Sequence, residues 1–301
     1  MKYFSISEAP SESFVRLALR NYGWREEDFL KFSHATHPQE DYCLISRKYP
    51  IFVVADGVTL IQYIIEKKKY PNPSPAGEIA RVFCEAVIKE AEKRYENFSQ
   101  TDMREVFREG NKVAALYNNN HGRMRDTLDY WDNDLHAATG AIVVVKDNRV
   151  FWASICDSYV AHFDESNNLK FKSPKCDSFS EAPAPQFTGD SNNRIEKIKY
   201  TWRVRRNGID EQGKRVGYGV ITGEANAESY LAQGDFEIKE GEKLCLVTDG
   251  FEDYLEEPEF KELLSAWTED IESKLKNLSL RKAEENGDKF GRERTLIACK
   301  I

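Results

Sequence analysis

Apolar and polar positions along the chain fall into blocks of strand character and blocks of helix character. Asp41–Ser46 and Pro50–Ala55 are short apolar runs separated by Arg47-Lys48-Tyr49, the mark of two strands joined by a tight turn. In Ala76–Tyr95, Ile79, Val82, Phe83, Ala86 and Val87 fall on one face at helical spacing. Thr101–Tyr117 repeats that spacing with Met103, Val106, Phe107, Ala114 and Tyr117, and Thr101 is its expected N-cap. The middle of the chain is strand-rich. Thr139–Lys146 is β-branched, Asp147-Asn148 is a turn, Arg149–Ile155 and Tyr159–Phe163 follow as strands, and Asp164–Asn168 turns again. Beyond a polar stretch, Gly217–Thr222, Phe236–Lys239 and Lys243–Thr248 are expected strands. Pro258–Leu275 is an expected helix with Phe260, Leu263, Leu264, Trp267 and Ile271 on one side, and Thr295–Ile301 is a closing strand. Strands come in groups and helices in pairs, which predicts an α+β layered sandwich and not a doubly wound parallel sheet.

Composition narrows the class. The 301 residues are 41% hydrophobic and 12% aromatic, enough for a substantial core in one large domain. No long linker divides them, so residues 1–301 read as a single domain. The net charge of −8 disfavours a general affinity for nucleic acid or an anionic membrane. No run approaches the ~18 apolar residues of a membrane helix. The opening residues Met1–Glu8 lack the apolar centre of a secretory leader, which predicts a cytoplasmic protein. The six cysteines are scattered singly with no zinc-type spacing, as expected of reduced thiols.

The candidate chemistry is carboxylate chemistry. Val53-Val54-Ala55-Asp56-Gly57 and Leu246-Val247-Thr248-Asp249-Gly250 each place an acid at the end of a buried apolar strand, followed by glycine. An isolated Asp-Gly in that position is ordinarily a turn. Two such ends brought together would instead present carboxylate and carbonyl oxygens to hard divalent cations. Glu40-Asp41 opens one expected strand, and Asp157 lies between two others.

The order of these motifs resembles the metal-dependent type 2C (PPM-type) serine/threonine protein phosphatases over roughly Phe32 to Ile301. Gln39-Glu40-Asp41 is similar to the family's Asn-Glu-Asp opening, and Val54-Ala55-Asp56-Gly57 to its first Asp-Gly signature. Ala138-Thr139-Gly140-Ala141 stands in the place of its Gly-Thr-Thr-Ala strand, and Cys156-Asp157-Ser158 in that of its Gly-Asp-Ser. Leu246–Asp253 is close to its Ser-Asp-Gly-Leu-Trp-Asp, and Glu293-Arg294-Thr295 precedes the last strand where the family has its final acidic motif. The resemblance implies a four-layer α-β-β-α sandwich with two central antiparallel β-sheets. It also implies two Mn²⁺ or Mg²⁺ ions, with a third, weaker one. Carried over by position, Asp56 would bridge the two ions, the Gly57 carbonyl and Asp249 would each bind one, and Glu40 would reach a metal, supported by Asp41. Asp157 matches the acid of the third ion. A water activated by the cations would attack the phosphoester directly, without a phosphoenzyme. The implied substrate is a phosphoprotein, and a cognate kinase is the implied counterpart.

The chain departs from the family pattern at four places. Val58-Thr59-Leu60-Ile61 follows the first Asp-Gly in place of a small Gly- and His-containing run. Thr36 stands where the family has a phosphate-holding Arg, with His37 or His34 as candidate substitutes. Cys156 replaces a glycine. Arg292 aligns with the last metal-binding Asp, Asp288 lies just upstream, and Glu293 could supply that carboxylate by a one-residue shift. Residues 1–31 read as an N-terminal extension. Residues 173–215 read as the family's variable flap, with Lys175, Arg194, Lys197, Lys199, Arg203, Arg205, Arg206, Lys214 and Arg215 as a local basic excess. Three readings stay open: a phosphatase of phosphoserine and phosphothreonine in proteins, a degenerate pseudophosphatase that binds a phosphoprotein or kinase, and a hydrolase of small phosphorylated metabolites.

Overall fold

The computed structural model describes residues 1–31, 38–123, 135–175, 179–189 and 193–301. In chain order its strands are β1 (Lys2–Glu8), β2 (Tyr42–Ile45), β3 (Ile51–Gly57), β4 (Ala138–Lys146), β5 (Arg149–Ile155), β6 (Tyr159–Phe163), β7 (Leu169–Lys172), β8 (Gly208–Ile209), β9 (Arg215–Val216), β10 (Ala232–Glu237), β11 (Lys243–Val247) and β12 (Arg294–Lys300). The helices are α1 (Glu12–Asn21), α2 (Glu26–Lys31), α3 (Ile61–Ile65), α4 (Pro75–Arg94), α5 (Asp102–Asn120), α6 (Arg194–Arg205), α7 (Asp249–Glu252), α8 (Pro258–Ala266), α9 (Ile271–Glu285) and α10 (Gly287–Phe290). One antiparallel sheet has the order β1-β12-β11-β6-β7 and the other β10-β5-β4-β3-β2.

The period-two alternation of each strand builds the layers. In β3, Ile51, Val53 and Ala55 turn to α4 and α5, while Phe52 and Val54 turn to the opposite sheet. In β11, Leu244 and Leu246 meet them from across the gap, and Cys245 and Val247 pack on the helices of the far side. In β12, Ile297 and Cys299 face inward, while Leu296 and Ala298 face α8 and α9. Three apolar layers follow: helix on sheet, sheet on sheet, sheet on helix. The architecture is the four-layer α-β-β-α sandwich that the motif order implies. Among the described residues, no helix is long and apolar enough to cross a membrane.

Several expected elements differ in the structure. Pro258–Leu275 is not one helix. Trp267 ends α8 in the left-handed region (φ 34°), and α9 restarts at Ile271. The Trp267 ring packs against Phe4 of β1 at 5.5 Å, and Thr268-Glu269-Asp270 is a polar, turn-forming run. Gly217–Thr222 is not a strand of either sheet. Its backbone bonds are split between Arg205 and Asn207 on one side and Ala138 on the other. Thr101 occupies the N-cap position of α5, but its side chain does not cap. Asp102 instead accepts from the Ser99 amide at 2.9 Å and the Ser99 hydroxyl at 2.7 Å. β1 was not foreseen because its Lys2–Glu8 run is half polar. It is an edge strand registered along the full length of β12.

The inter-sheet layer is the most constrained part of this packing. Phe52 is fully buried there, so Phe52→Ala is expected to cost about 3–5 kcal/mol in a denaturant titration. A cost below ~1 kcal/mol would mean the two sheets do not share one core.

Candidate metal centre

The acids gather because strand register sends them to one end of the inter-sheet layer. Asp56 lies on β3 in phase with the inward-facing Phe52 and Val54, opposite Thr139 of β4. Asp41 immediately precedes β2 in phase with the inward-facing Cys43 and Ile45. Thr248 continues the inward phase of β11, and Asp249 begins the helical turn α7 just beyond it. Asp157 is the middle of the three residues between β5 and β6. Glu293 directly precedes β12.

Both Asp-Gly pairs need glycine for space. A Cβ on Gly57 would lie 2.6 Å from the carbonyl carbon of Ala76 in the first turn of α4. A Cβ on Gly250 would lie 2.0 Å from the Glu293 carbonyl oxygen. Neither residue has a positive φ, so close approach of another backbone, not a left-handed turn, explains them. Cys156 is different. It holds φ 67° where a glycine would be unstrained, beside Asp157.

A hydrogen-bond frame fixes the cluster. The Thr248 hydroxyl donates to Asp41 Oδ2 at 2.7 Å and accepts from the Thr295 amide at 2.8 Å. The Gly57 amide donates to the Glu40 carbonyl at 3.1 Å. Glu40 is fully buried, and its Oε1 accepts from the Tyr70 hydroxyl at 2.8 Å and from the hydroxyl of Ser74, the N-cap of α4. Glu293 Oε1 accepts from the Asp41 amide at 2.6 Å and from the Glu40 amide. Neither Tyr70 nor Ser74 was singled out from the sequence. Ser74-Pro75 is nevertheless a helix-start signal, and that start lies against Glu40.

The charge state of the cluster follows from burial and crowding. Burial, then the charges of Asp41, Asp249, Asp157 and Glu293, holds the Asp56 carboxyl well above its ordinary value. Burial with the nearby Asp249 pushes Asp41 up to about 7. Burial and Asp157 push Asp249 up to about 6, against the lowering influence of Arg292. Burial and the neighbouring Asp41 charge push Glu293 up to about 10. Burial raises Asp157, with Lys175 and Arg292 opposing it.

Three consecutive charged residues before and at the start of β12 go three ways. Arg292 Nη1 pairs with Asp249 Oδ2 at 2.5 Å, with the arginine side chain half exposed. Glu293 turns inward to the amides of residues 40 and 41. Arg294 turns away and pairs with the buried Glu8 of β1 at 2.5 Å. Glu293 thus lies against the amides beside Asp41, while a guanidinium stands at Asp249.

The donor set fits hard divalent cations in its chemistry. It is all oxygen, and Asp41 Oδ1 is buried without a hydrogen-bond partner. As the side chains stand, however, no group of three or more His, Cys, Asp or Glu among the described residues is arranged to hold an ion. The arginine pair at Asp249 would have to open first.

Two cavities meet at Asp56 and Thr59. One, of about 240 Å³, is walled by Phe14 and Leu19 of α1 and contains Asp249, Arg292 and Glu293. The other, of about 390 Å³, contains Gly57, Asp157, Cys156, Lys175 and Arg206. The helix α1, within the stretch read as an extension, therefore forms one wall of the site. Thr36 and the candidate phosphate ligands His34 and His37 lie outside the described residues.

This combination of a double-sheet sandwich and a strand-end acid cluster defines a class, and comparison names it. The sequence pattern of the family described as protein phosphatase 2C matches residues 32–283, and the chain belongs to that family. Among solved structures, the serine/threonine phosphatase PstP of Mycobacterium tuberculosis aligns over 99% of this chain and 96% of its own at 13% identity, with a TM-score of 0.51. Its catalytic domain has been solved with two manganese ions. The S. agalactiae serine/threonine phosphatase aligns over 99% and 97% at 13% identity, TM-score 0.54. PppA, a regulatory component of the T6SS in Pseudomonas aeruginosa, aligns over 100% and 97% at 11% identity, TM-score 0.55. At these identities the likeness is one of fold. No curated protein sequence matches significantly.

The raised Asp56 makes the cluster a source of pH-dependent instability. The folded protein keeps that proton to a higher pH than the unfolded chain does. Stability from this group is therefore full below the ordinary carboxylate range near ~4 and is lost as pH rises through the raised folded value. In chelated protein, Asp56→Asn is expected to stabilise by about 0.5–2 kcal/mol at pH 8 and to change little at pH 4. Thermal unfolding at the two pH values measures this, and equal effects at both would remove the crowding argument.

Proposed function

We propose that this chain hydrolyses phosphoserine and phosphothreonine in proteins, using divalent Mn²⁺ or Mg²⁺. The observation that carries the reading is the convergence of Asp41, Asp56, Asp157, Asp249 and Glu293 from separate elements at one end of the inter-sheet layer, each with its proton held up by burial and most by one another's charges. The family supports it, and so do the two manganese ions of the PstP catalytic domain.

Asp56, Asp249 and the Gly57 carbonyl would hold the cations. Glu293 and Asp41 would complete the acidic surround, and Asp157 would serve a further, weaker ion. Bound there, divalent cations supply Lewis-acid activation of water and neutralise the phosphoryl charge. The chain's own residues do the positioning. Thr248 orients Asp41 through its hydroxyl. Ser74 and Tyr70 hold the Glu40 carboxylate in place. The amides of residues 40 and 41 fix Glu293. The substrate is a phosphoprotein, and the kinase that installs its phosphates is the natural counterpart in a cytoplasmic signalling pair.

One observation favours a second reading. The Arg292–Asp249 pair supplies a positive charge where a cation is expected, as it would in a pseudophosphatase that binds phosphoproteins without cleaving them. The deciding experiment is phosphate release from a phosphothreonine peptide, with Mn²⁺ and Mg²⁺ titrated into chelated protein. The phosphatase reading expects metal-dependent release that Asp249→Asn abolishes. No release at any metal concentration, from folded protein, selects the second reading.

Arg292 is also a tunable competitor. The arginine is half exposed but Asp249 is only 20% exposed, so the pair is worth at least the ~1 kcal/mol at the top of the range for surface pairs. Arg292→Ala is therefore expected to tighten Mn²⁺ binding by about fivefold or more in calorimetry. Unchanged or weaker binding would show that the guanidinium does not compete with metal.

A further inference from the structure

The basic residues of the insert are not equivalent. Arg203 and Arg205 are exposed, and Arg215 is paired with Glu181 at 2.8 Å. Arg206 and Lys175 instead line the 390 Å³ cavity, together with Asp56, Gly57 and Asp157. Arg206 is only 5% exposed, and its guanidinium lies over the Trp202 ring at 5.1 Å. A stacked arginine keeps its plane and its fork of donors pre-oriented.

Its backbone is tied to the scaffold of the acid cluster. The Tyr218 amide donates to the Arg205 carbonyl at 3.0 Å, and the Asn207 amide donates to the Tyr218 carbonyl at 2.8 Å. Asn207 exchanges side-chain hydrogen bonds with Val220, at 3.0 and 2.8 Å. Ile221 then exchanges two backbone bonds, of 3.0 and 2.8 Å, with Ala138 of β4. Ala138 is the register partner of Gly57. Arg206 is thus joined through three short links to the strand pair that ends in Asp56-Gly57. Lys175 approaches from the other end of the insert, and its charge lowers the Asp157 carboxyl.

We propose that Arg206, assisted by Lys175, is the seat for the substrate phosphate, taking a dianionic phosphomonoester. Its place on the flap supplies the positive charge that the sequence lacks at Thr36. Two cations on one wall match the near-dianionic charge of a phosphorylated side chain at neutral pH. The planar guanidinium can hold two phosphate oxygens at once, and the ammonium a third. The same cavity is lined by Asp56 and Asp157 of the acid cluster, so a phosphate seated here shares its space with them. The inference rests on the reading of that cluster as a phosphoester site, but it makes a claim about binding that holds with or without turnover.

The test measures two quantities on the full chain: binding of a phosphothreonine peptide by fluorescence anisotropy, with the unphosphorylated peptide as reference, and phosphate release with Mn²⁺. Arg206→Ala is expected to weaken phosphopeptide binding by about tenfold or more. Arg206→Lys should fall between it and wild type, because it keeps the charge and loses the fork. Lys175→Ala, at an exposed position, should weaken binding about threefold. Lys112→Ala, on the outer helix α5, should stay within about twofold. In turnover, KM should rise in step with the dissociation constant while kcat moves less. Because Arg206 is buried, Arg206→Lys and Lys175→Ala carry the test if Arg206→Ala does not fold. If wild type cleaves the phosphopeptide and these variants match it, the seat is overturned and the phosphatase reading stands; if wild type only binds it and these variants match, the seat and hydrolysis both fall. If wild type binds through Arg206 and releases no phosphate, the seat stands and hydrolysis falls. If wild type neither binds nor cleaves, both fall.

Discussion

Like charge held inside a rigid frame is the constraint from which the rest of this structure follows. Asp41, Asp56, Asp157, Asp249 and Glu293 sit where two sheets close on an apolar layer, so water cannot screen them fully, and burial is the largest influence on every one. No single element would tolerate such a set. The cost is spread over strands whose other inward residues, Phe52, Val54, Leu246 and Ile297 among them, are fully buried apolar groups. Large apolar burial offsets local electrostatic destabilisation, a common arrangement at functional sites.

The protein meets the excess negative charge with cations from three directions. Arg292 comes from the residues before β12, and Lys175 and Arg206 line the cavity shared with Asp56 and Asp157. Arg294, next in sequence to the cluster, does not take part, because Glu8 and Ser279 hold it on the other side of its strand. Arg292 is half exposed, so water can take up its charge when a cation replaces it at Asp249, whereas Arg206 is stacked and buried. The two arginines therefore differ in kind: one is a movable counter-ion, the other part of the wall. A divalent cation competes with the first and has no reason to disturb the second.

Much of the fold was legible because its signals are local. Arg149–Ile155 and Tyr159–Phe163 match β5 and β6, and α4 and α5 differ from expectation by a few residues at their ends, as apolar period alone would give. The misses arise where tertiary contacts override the pattern. Trp267 continues the helical apolar stripe, yet its packing on Phe4 breaks the helix. Gly217–Thr222 has strand composition, but its partners lie on two different elements. β1 is an edge strand whose partner is nearly the whole chain length away. At the site, the acids were visible as strand-end residues. Tyr70, Ser74 and Phe14 were not, because each acts through a neighbour that only folding brings near.

In the Arg292-Glu293-Arg294 triplet three successive charged side chains take three directions. Successive side chains along a strand point to alternate faces. Arg292 and Glu293 lie just before β12 begins, where backbone pairing does not yet dictate direction. The longer glutamate reaches back to the amides of Glu40 and Asp41, on the segment that enters the opposite sheet. Glu293 thereby bridges the two sheets at the mouth of their shared layer. Arg292 stays outside, over the Phe14 ring at 5.9 Å and paired with Asp249. Adjacent residues thus bring an acid and a base to the same cluster from opposite sides of one backbone turn, and the carboxylate of Glu293 and the guanidinium of Arg292 come as a pair.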